Sequence, residues 1–119
     1  MENQRLKKDR EFRIIYELGK KEFGYYSLIF FRENKDNILK IGYVASKKTG
    51  NAVCRNRIRR LMKEYFRNNS FKLKQNYDII CVAKKKAGEE IQELMYRDME
   101  KDLNKVLKRI GLLLEKPQI

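Results

Sequence analysis

The chain has no histidine, no tryptophan, one proline and two cysteines in 119 residues. Without an imidazole there is no Ser-His or Cys-His nucleophile pair, no histidine general base and no histidine metal ligand. Two cysteines alone do not complete a zinc site. Cys54 and Cys81 are also too few for the disulfide framework of a small secreted domain, so a reducing, cytoplasmic setting is expected. Long apolar runs are missing as well. The opening MENQRLKKDREF holds no signal-peptide core, and no segment approaches the roughly 20 apolar residues that span a bilayer. Neither a GxxxxGK[ST] loop nor a GxGxxG turn occurs, which argues against an ATPase or a dinucleotide enzyme. Glu11, Glu17, Asp78 and Asp98 are dispersed and suggest neither an acid–base couple nor a two-metal cluster. No catalytic residue and no metal ligand is therefore assigned to the chain.

Positive charge is what the chain has in excess. Lys plus Arg number 29 against 16 Asp plus Glu, a net charge of +13. The 42% hydrophobic content is enough for a modest core, so residues 1–119 are read as one domain with its core at about 5–114. No internal repeat or linker interrupts it. The excess is concentrated: residues 22–88 carry sixteen basic and five acidic side chains, whereas residues 89–119 carry six and seven. Surplus lysine that merely aids solubility would be scattered more evenly. A field of this sign draws in polyanions, either nucleic acid or an anionic membrane.

Periodicity outlines a mixed α+β domain. Phe12, Ile15 and Tyr16 mark one face of a helix over about 10–18, with Asp9 able to cap it. A short extended piece near Glu22 and Phe23 precedes an aromatic strand, Tyr25–Arg32, and a second strand, Ile38–Ser46. With the polar turn at 34–37 between them, these two are expected to form an antiparallel hairpin. The period then changes to 3.6, with Ile58, Leu61, Met62, Tyr65 and Phe66 forming the buried stripe of an amphipathic helix. A strand at Tyr77–Ala83 follows, then a long last helix opened by Glu89 and Glu90 and running to Leu114, with Pro117 ending regular structure.

Two constellations bear on function. At about 100° per residue, Asn56, Arg59, Arg60, Lys63 and Arg67 project opposite the apolar stripe of the central helix. Counting Lys47, Lys48, Arg55 and Arg57, Ser46–Arg67 holds eight cations and a single acid, Glu64. Like charges at i, i+4 repel on a bare helix, and guanidinium forks suit phosphate oxygens. Gly50 and Asn51 offer a turn where backbone N–H groups could meet phosphate at the helix start. A solvated cationic face is the plain alternative. The second constellation is aromatic: Phe12 and Tyr16 on the first helix, with Tyr26, Leu28 and Phe30 on one strand face, could flank a shallow groove on which single-stranded bases stack. Ordinary core packing explains the same pattern. Cys54 and Cys81 are read as small core residues.

The stretch GNAVCRNRIRRLMKEYFR resembles the arginine-rich signature of the bacterial ribonuclease P protein component. RLKKDREFRIIYELGKK is similar to that family's opening helix, KIGYVASKKTGNAV to the strand and loop before the signature, and YDIICVAKKKA to the strand after it. The resemblance implies an α-β-β-β-α-β-α sandwich with a small central sheet and a left-handed β-α-β crossover, similar to the second domain of ribosomal protein S5. It implies as partners a catalytic RNA and precursor tRNA, with no membrane and no DNA, and a holoenzyme that removes the 5′ leader hydrolytically. Chemistry would then rest with the RNA and Mg²⁺ held mainly by it. Carried over, Arg55, Asn56, Arg57, Arg59, Arg60 and Lys63 would contact the RNA, supported by Lys47, Lys48, Gly50 and Asn51. Phe12, Tyr16, Leu28 and Phe30 would line the leader cleft. Arg59 replaces the commoner lysine and Lys63 stands where arginine is usual, and both keep the charge. The LLLEKPQI tail is given no RNA role. A structural RNA-binding protein, such as a ribosomal component, would bind without dependence on a leader, and a membrane-surface role lacks evident Trp or Phe anchors.

Overall fold

The computed structural model of the chain describes residues 4–114. In chain order these form β1 (Gln4–Arg5), α1 (Asp9–Leu18), β2 (Lys20–Phe23), β3 (Ser27–Glu33), β4 (Lys40–Val44), α2 (Ala52–Asn69), β5 (Tyr77–Ala83), α3 (Lys85–Glu89) and α4 (Tyr96–Arg109). Single 3-10 turns at Lys47–Thr49 and Ser70–Lys72 flank α2. The mixed α+β class and the order of the main elements follow the sequence pattern, with a two-residue first strand in addition. Pro117, expected to end regular structure, lies outside the described residues.

One five-stranded sheet runs β1-β4-β5-β3-β2. β1, β4 and β5 are parallel, while β3 is antiparallel to both β5 and β2. The expected hairpin between β3 and β4 does not form, because β5 lies between them. Alternation fixes which face a side chain takes, not which strand sits alongside. Ile79-Ile80-Cys81-Val82 is apolar on both faces and suits the middle of a sheet covered on both sides. α2 carries the chain from β4 back to the parallel neighbour β5, a β-α-β unit.

The two faces have different covers. Ile29, Ile41, Ile79 and Cys81 point to the side of α2 and α4, where Ile58, Met62, Tyr65, Phe66, Leu103 and Leu107 complete the main core. The Tyr65 hydroxyl donates to the Asn104 amide oxygen at 2.6 Å and ties the two helices together. The other face carries a smaller cluster of Leu6, Ile15 and Ile80, with Phe12, Phe30, Val44 and Val82 half-buried around it. Among the described residues only α1 covers that face, and it covers part of it. Gly42 is required there: a Cβ on it would lie 2.5 Å from the Phe12 ring, so only glycine lets that ring reach the sheet.

The expected long last helix is broken. After α3 the chain turns, and the Met95 N–H donates to the Asp98 carboxylate at 2.9 Å, starting α4 afresh at Tyr96. Gly88, within α3, faces the Thr49 carbonyl so tightly that an added Cβ has no room against backbone.

Candidate nucleic-acid interface

Thr49 is buried, and the turn containing it presents Lys47 and Lys48 to solvent. Gly50 follows at φ +141°, a backbone region that L side chains rarely adopt. Asn51 is the N-cap of α2: its side-chain oxygen accepts the Cys54 N–H at 2.9 Å. That amide is thereby occupied, so the phosphate contact expected at the helix start is limited to the remaining first-turn donors. Because Gly88 holds this turn in place, Gly88→Ala is expected to lower stability by about 3 kcal/mol through overpacking. A shift of the urea midpoint under one tenth of the wild-type value would show that α3 gives way instead.

Along α2 the signature side chains divide by direction. Asn56, Arg60 and Arg67 are exposed. Arg57 is exposed as well but swings toward the connection between α3 and α4 and donates to the Leu94 carbonyl at 3.2 Å. Arg59 leans toward β4, donating to the Ala45 carbonyl at 3.3 Å and to the Asn56 side-chain oxygen at 2.6 Å. Arg55 is half-buried, and its Nε has no partner among the described residues. Lys63 is half-buried with its ammonium 5.9 Å from the Tyr43 ring centroid. Burial, then the nearby charges of Arg5 and Arg59, push the Lys63 ammonium below the usual lysine range. Arg5 was not among the sequence candidates. Its signal was hidden, since only the parallel pairing of β1 with β4 brings it beside α2. Among the described residues no cation of α2 forms an ion pair.

The aromatic constellation lies on the other side of the sheet. Tyr16 and Phe30 meet edge to face with centroids 4.7 Å apart, and Phe12 lies 6.4 Å from Tyr16. Tyr16 is 39% exposed, and Phe12, Leu28 and Phe30 are half-buried. Phe12, Tyr16, Leu28 and Phe30 therefore do share one side, as the pattern suggested. Tyr26 does not join them. It packs against the α2–α4 core and donates its hydroxyl to Glu90 at 2.7 Å. That hydrogen bond, with the neighbouring Lys86, holds the Glu90 carboxyl below the usual carboxylate range. Val44 and Val82 extend the apolar surface, and sequence alone did not reveal them because their face depends on register.

A five-stranded mixed sheet with these helices recurs in known proteins. The family model described as Ribonuclease P matches residues 1–111. The chain belongs to the ribonuclease P protein family. The ribonuclease P protein component of Fusobacterium nucleatum subsp. nucleatum is 60% identical over 108 residues, covering 91% of this chain and 97% of that one. That of Clostridioides difficile is 37% identical, covering 90% and 91%. Among solved structures, the Thermotoga maritima RNase P protein superposes with a TM-score of 0.84 at 31% identity, covering 92% of this chain and 99% of that one. A Staphylococcus aureus RNase P protein gives 0.80 at 28% identity, covering 94% and 99%. As a ribonuclease P protein component, the chain is a subunit of a ribonucleoprotein, and the endoribonuclease activity is carried by the RNA partner. Among the described residues no helix is long and apolar enough to cross a membrane, and no three His, Cys, Asp or Glu side chains converge on one point.

Proposed function

We propose that the outward side of α2 binds phosphates of the catalytic RNA and that the cleft between α1 and the sheet takes the single-stranded 5′ leader of precursor tRNA. The observation that carries this reading is the unneutralised charge on α2. Arg59, Lys63 and Arg5 crowd together beside exposed Arg60 and Arg67, and none of the α2 cations is paired within the described residues. Phosphate relieves such repulsion, and guanidinium groups give it paired donors. Lys47, Lys48, Gly50 and Asn51 frame the same surface at the helix start, with Arg55, Asn56 and Arg57 continuing it along the first turns.

In the cleft, bases stack on Tyr16 and Phe30 while Phe12 and Leu28 supply apolar walls, a sequence-tolerant mode suited to leaders of varied sequence. Mg²⁺ supplies the charge stabilisation that phosphodiester hydrolysis needs. The chain's cationic strip suits phosphate and not a divalent cation, which favours Mg²⁺ held by the RNA. The setting is the cytoplasm, where Cys54 and Cys81, both unpaired here, stay as thiols.

The test is cleavage of 5′-labelled precursor tRNA at low Mg²⁺ with a bacterial ribonuclease P RNA alone, the protein alone, and both. Product with the mature 5′ end is expected only from the combined reaction. Cleavage by RNA-free protein, or no gain from adding folded protein to a competent RNA, would overturn the assignment.

A further inference from the structure

The apolar surface does not stop at Phe30. Strand register sets Phe23 opposite Leu28, Leu28 opposite Val82, and Val82 opposite Val44. Four side chains thus form one row across the sheet, spanning three strand spacings or about 14 Å. Leu28, Val82 and Val44 are half-buried, whereas Phe23, on the outer strand, is 52% exposed. Phe23 lies diagonally from Phe30, a separation of about 7–8 Å on such a sheet.

Two cations attend the Phe23 ring. The ammonium groups of Lys21 and Lys84 each sit 5.8 Å from its centroid. Lys84 is held by donating to the Gly24 carbonyl at 2.9 Å, and Lys21 shares the Phe23 side of β2 by alternation. Neither lysine forms an ion pair among the described residues. A half-exposed ring with two unneutralised ammonium groups over it has the chemistry of a nucleotide site, where an incoming base takes the ring and its flanking phosphates draw the lysines. β4 leads through residues 45–51 into α2, so the Val44 end of the row adjoins the cationic helix and Phe23 lies at the far end.

We infer that Phe23, with Lys21 and Lys84, forms a second stacking site for an unpaired leader nucleotide, farther from the cleavage point than the part held by Tyr16 and Phe30. The inference rests on the leader reading above and extends it. The test titrates holoenzyme, assembled with a bacterial ribonuclease P RNA, against precursor tRNAs whose leaders lengthen one nucleotide at a time. Wild type should gain affinity in two stages. Phe23→Ala should lose the later stage alone, about five- to tenfold, while Phe30→Ala loses the earlier one. Phe23→Trp should restore the later stage and Phe23→Leu should not. A 2-aminopurine base at the same leader position should be quenched by wild-type holoenzyme and not by Phe23→Ala. An alanine variant that follows wild type at every length, or full rescue by leucine, overturns the Phe23 site and leaves the leader reading standing. A wild type indifferent to every leader overturns both.

Discussion

Replacing Asp102 by alanine should cost the fold about 3–5 kcal/mol. Asp102 is a buried residue of α4 whose carboxylate accepts the backbone N–H of Tyr25 at 2.6 Å, that of Tyr26 at 3.1 Å, and the Ser27 hydroxyl at 2.9 Å. These hydrogen bonds to a charged acceptor are stronger than neutral ones. Truncation removes their common acceptor and strands the fully buried Ser27 hydroxyl together with two half-buried backbone donors. Small domains retain about 5–15 kcal/mol in total, so the variant approaches the unfolding threshold. Asp102→Asn should fall between the two, because its amide keeps one acceptor oxygen while its NH₂ faces donors. Urea unfolding measures both changes. A loss under 1 kcal/mol for the alanine variant would mean that the turn at residues 24–27 finds other partners. The same contacts anchor the turn joining β2 to β3, which sets Phe23 and Leu28 in place. Under conditions where Asp102→Asn stays folded, leader-dependent affinity should therefore suffer more than affinity for the catalytic RNA.

Particular residues show what the sequence disclosed and what it withheld. Of the expected stripe, Ile58, Met62, Tyr65 and Phe66 are buried and Leu61 is half-buried against the same core, and β5 spans Tyr77–Ala83 as its apolar run suggested. Local periodicity suffices there because one element carries the whole signal. Strand neighbours are a different matter. Nothing within β3 or β4 announces that β5 will separate them, and the turn at 34–37, with Asn37 at φ 56°, looks as a hairpin turn would. The break in the last helix was hidden as well, since apolar spacing continues through Ile91, Leu94 and Met95 while the chain turns after Glu89 and α4 starts afresh at Tyr96 behind the Met95–Asp98 cap.

The site divides along the same line. The α2 cations were legible as a set because a helix lays them out in order. Their unequal situations were not: Arg57 and Arg59 are drawn to the Leu94 and Ala45 carbonyls by elements remote in sequence. Two-residue alternation puts Tyr26 on the strand face of Leu28 and Phe30, yet the strand begins only at Ser27 and the Tyr26 hydroxyl belongs with Glu90 on the other side. Arg5, Val44, Val82 and Phe23 gain their positions only from register.

That division decides which arginines report RNA binding cleanly. Arg57 and Arg59 each bond to backbone of a neighbouring element, so alanine there mixes lost phosphate contact with lost packing. Arg60 and Arg67 are exposed on the outward side, and neither makes a hydrogen bond or ion pair among the described residues. Arg60→Ala with Arg67→Ala is expected to change stability by less than about 0.5 kcal/mol. Affinity for the catalytic RNA should fall roughly ten- to 100-fold at physiological salt. The slope of log affinity against log salt should flatten by up to about 1.8 if both residues neutralise phosphates on duplex-like RNA. Titrations at several KCl concentrations give both numbers. Lysine at both positions should restore most of the slope, which counts charge, and less of the affinity, which also uses the paired donors of the guanidinium. Leader-dependent affinity should survive in the double variant once the RNA concentration is raised to restore assembly, because the aromatic cleft lies across the sheet from α2. Loss of affinity with an unchanged slope would assign these arginines to contacts other than phosphate, and loss of the leader effect at full assembly would mean that the two sides of the sheet do not act separately.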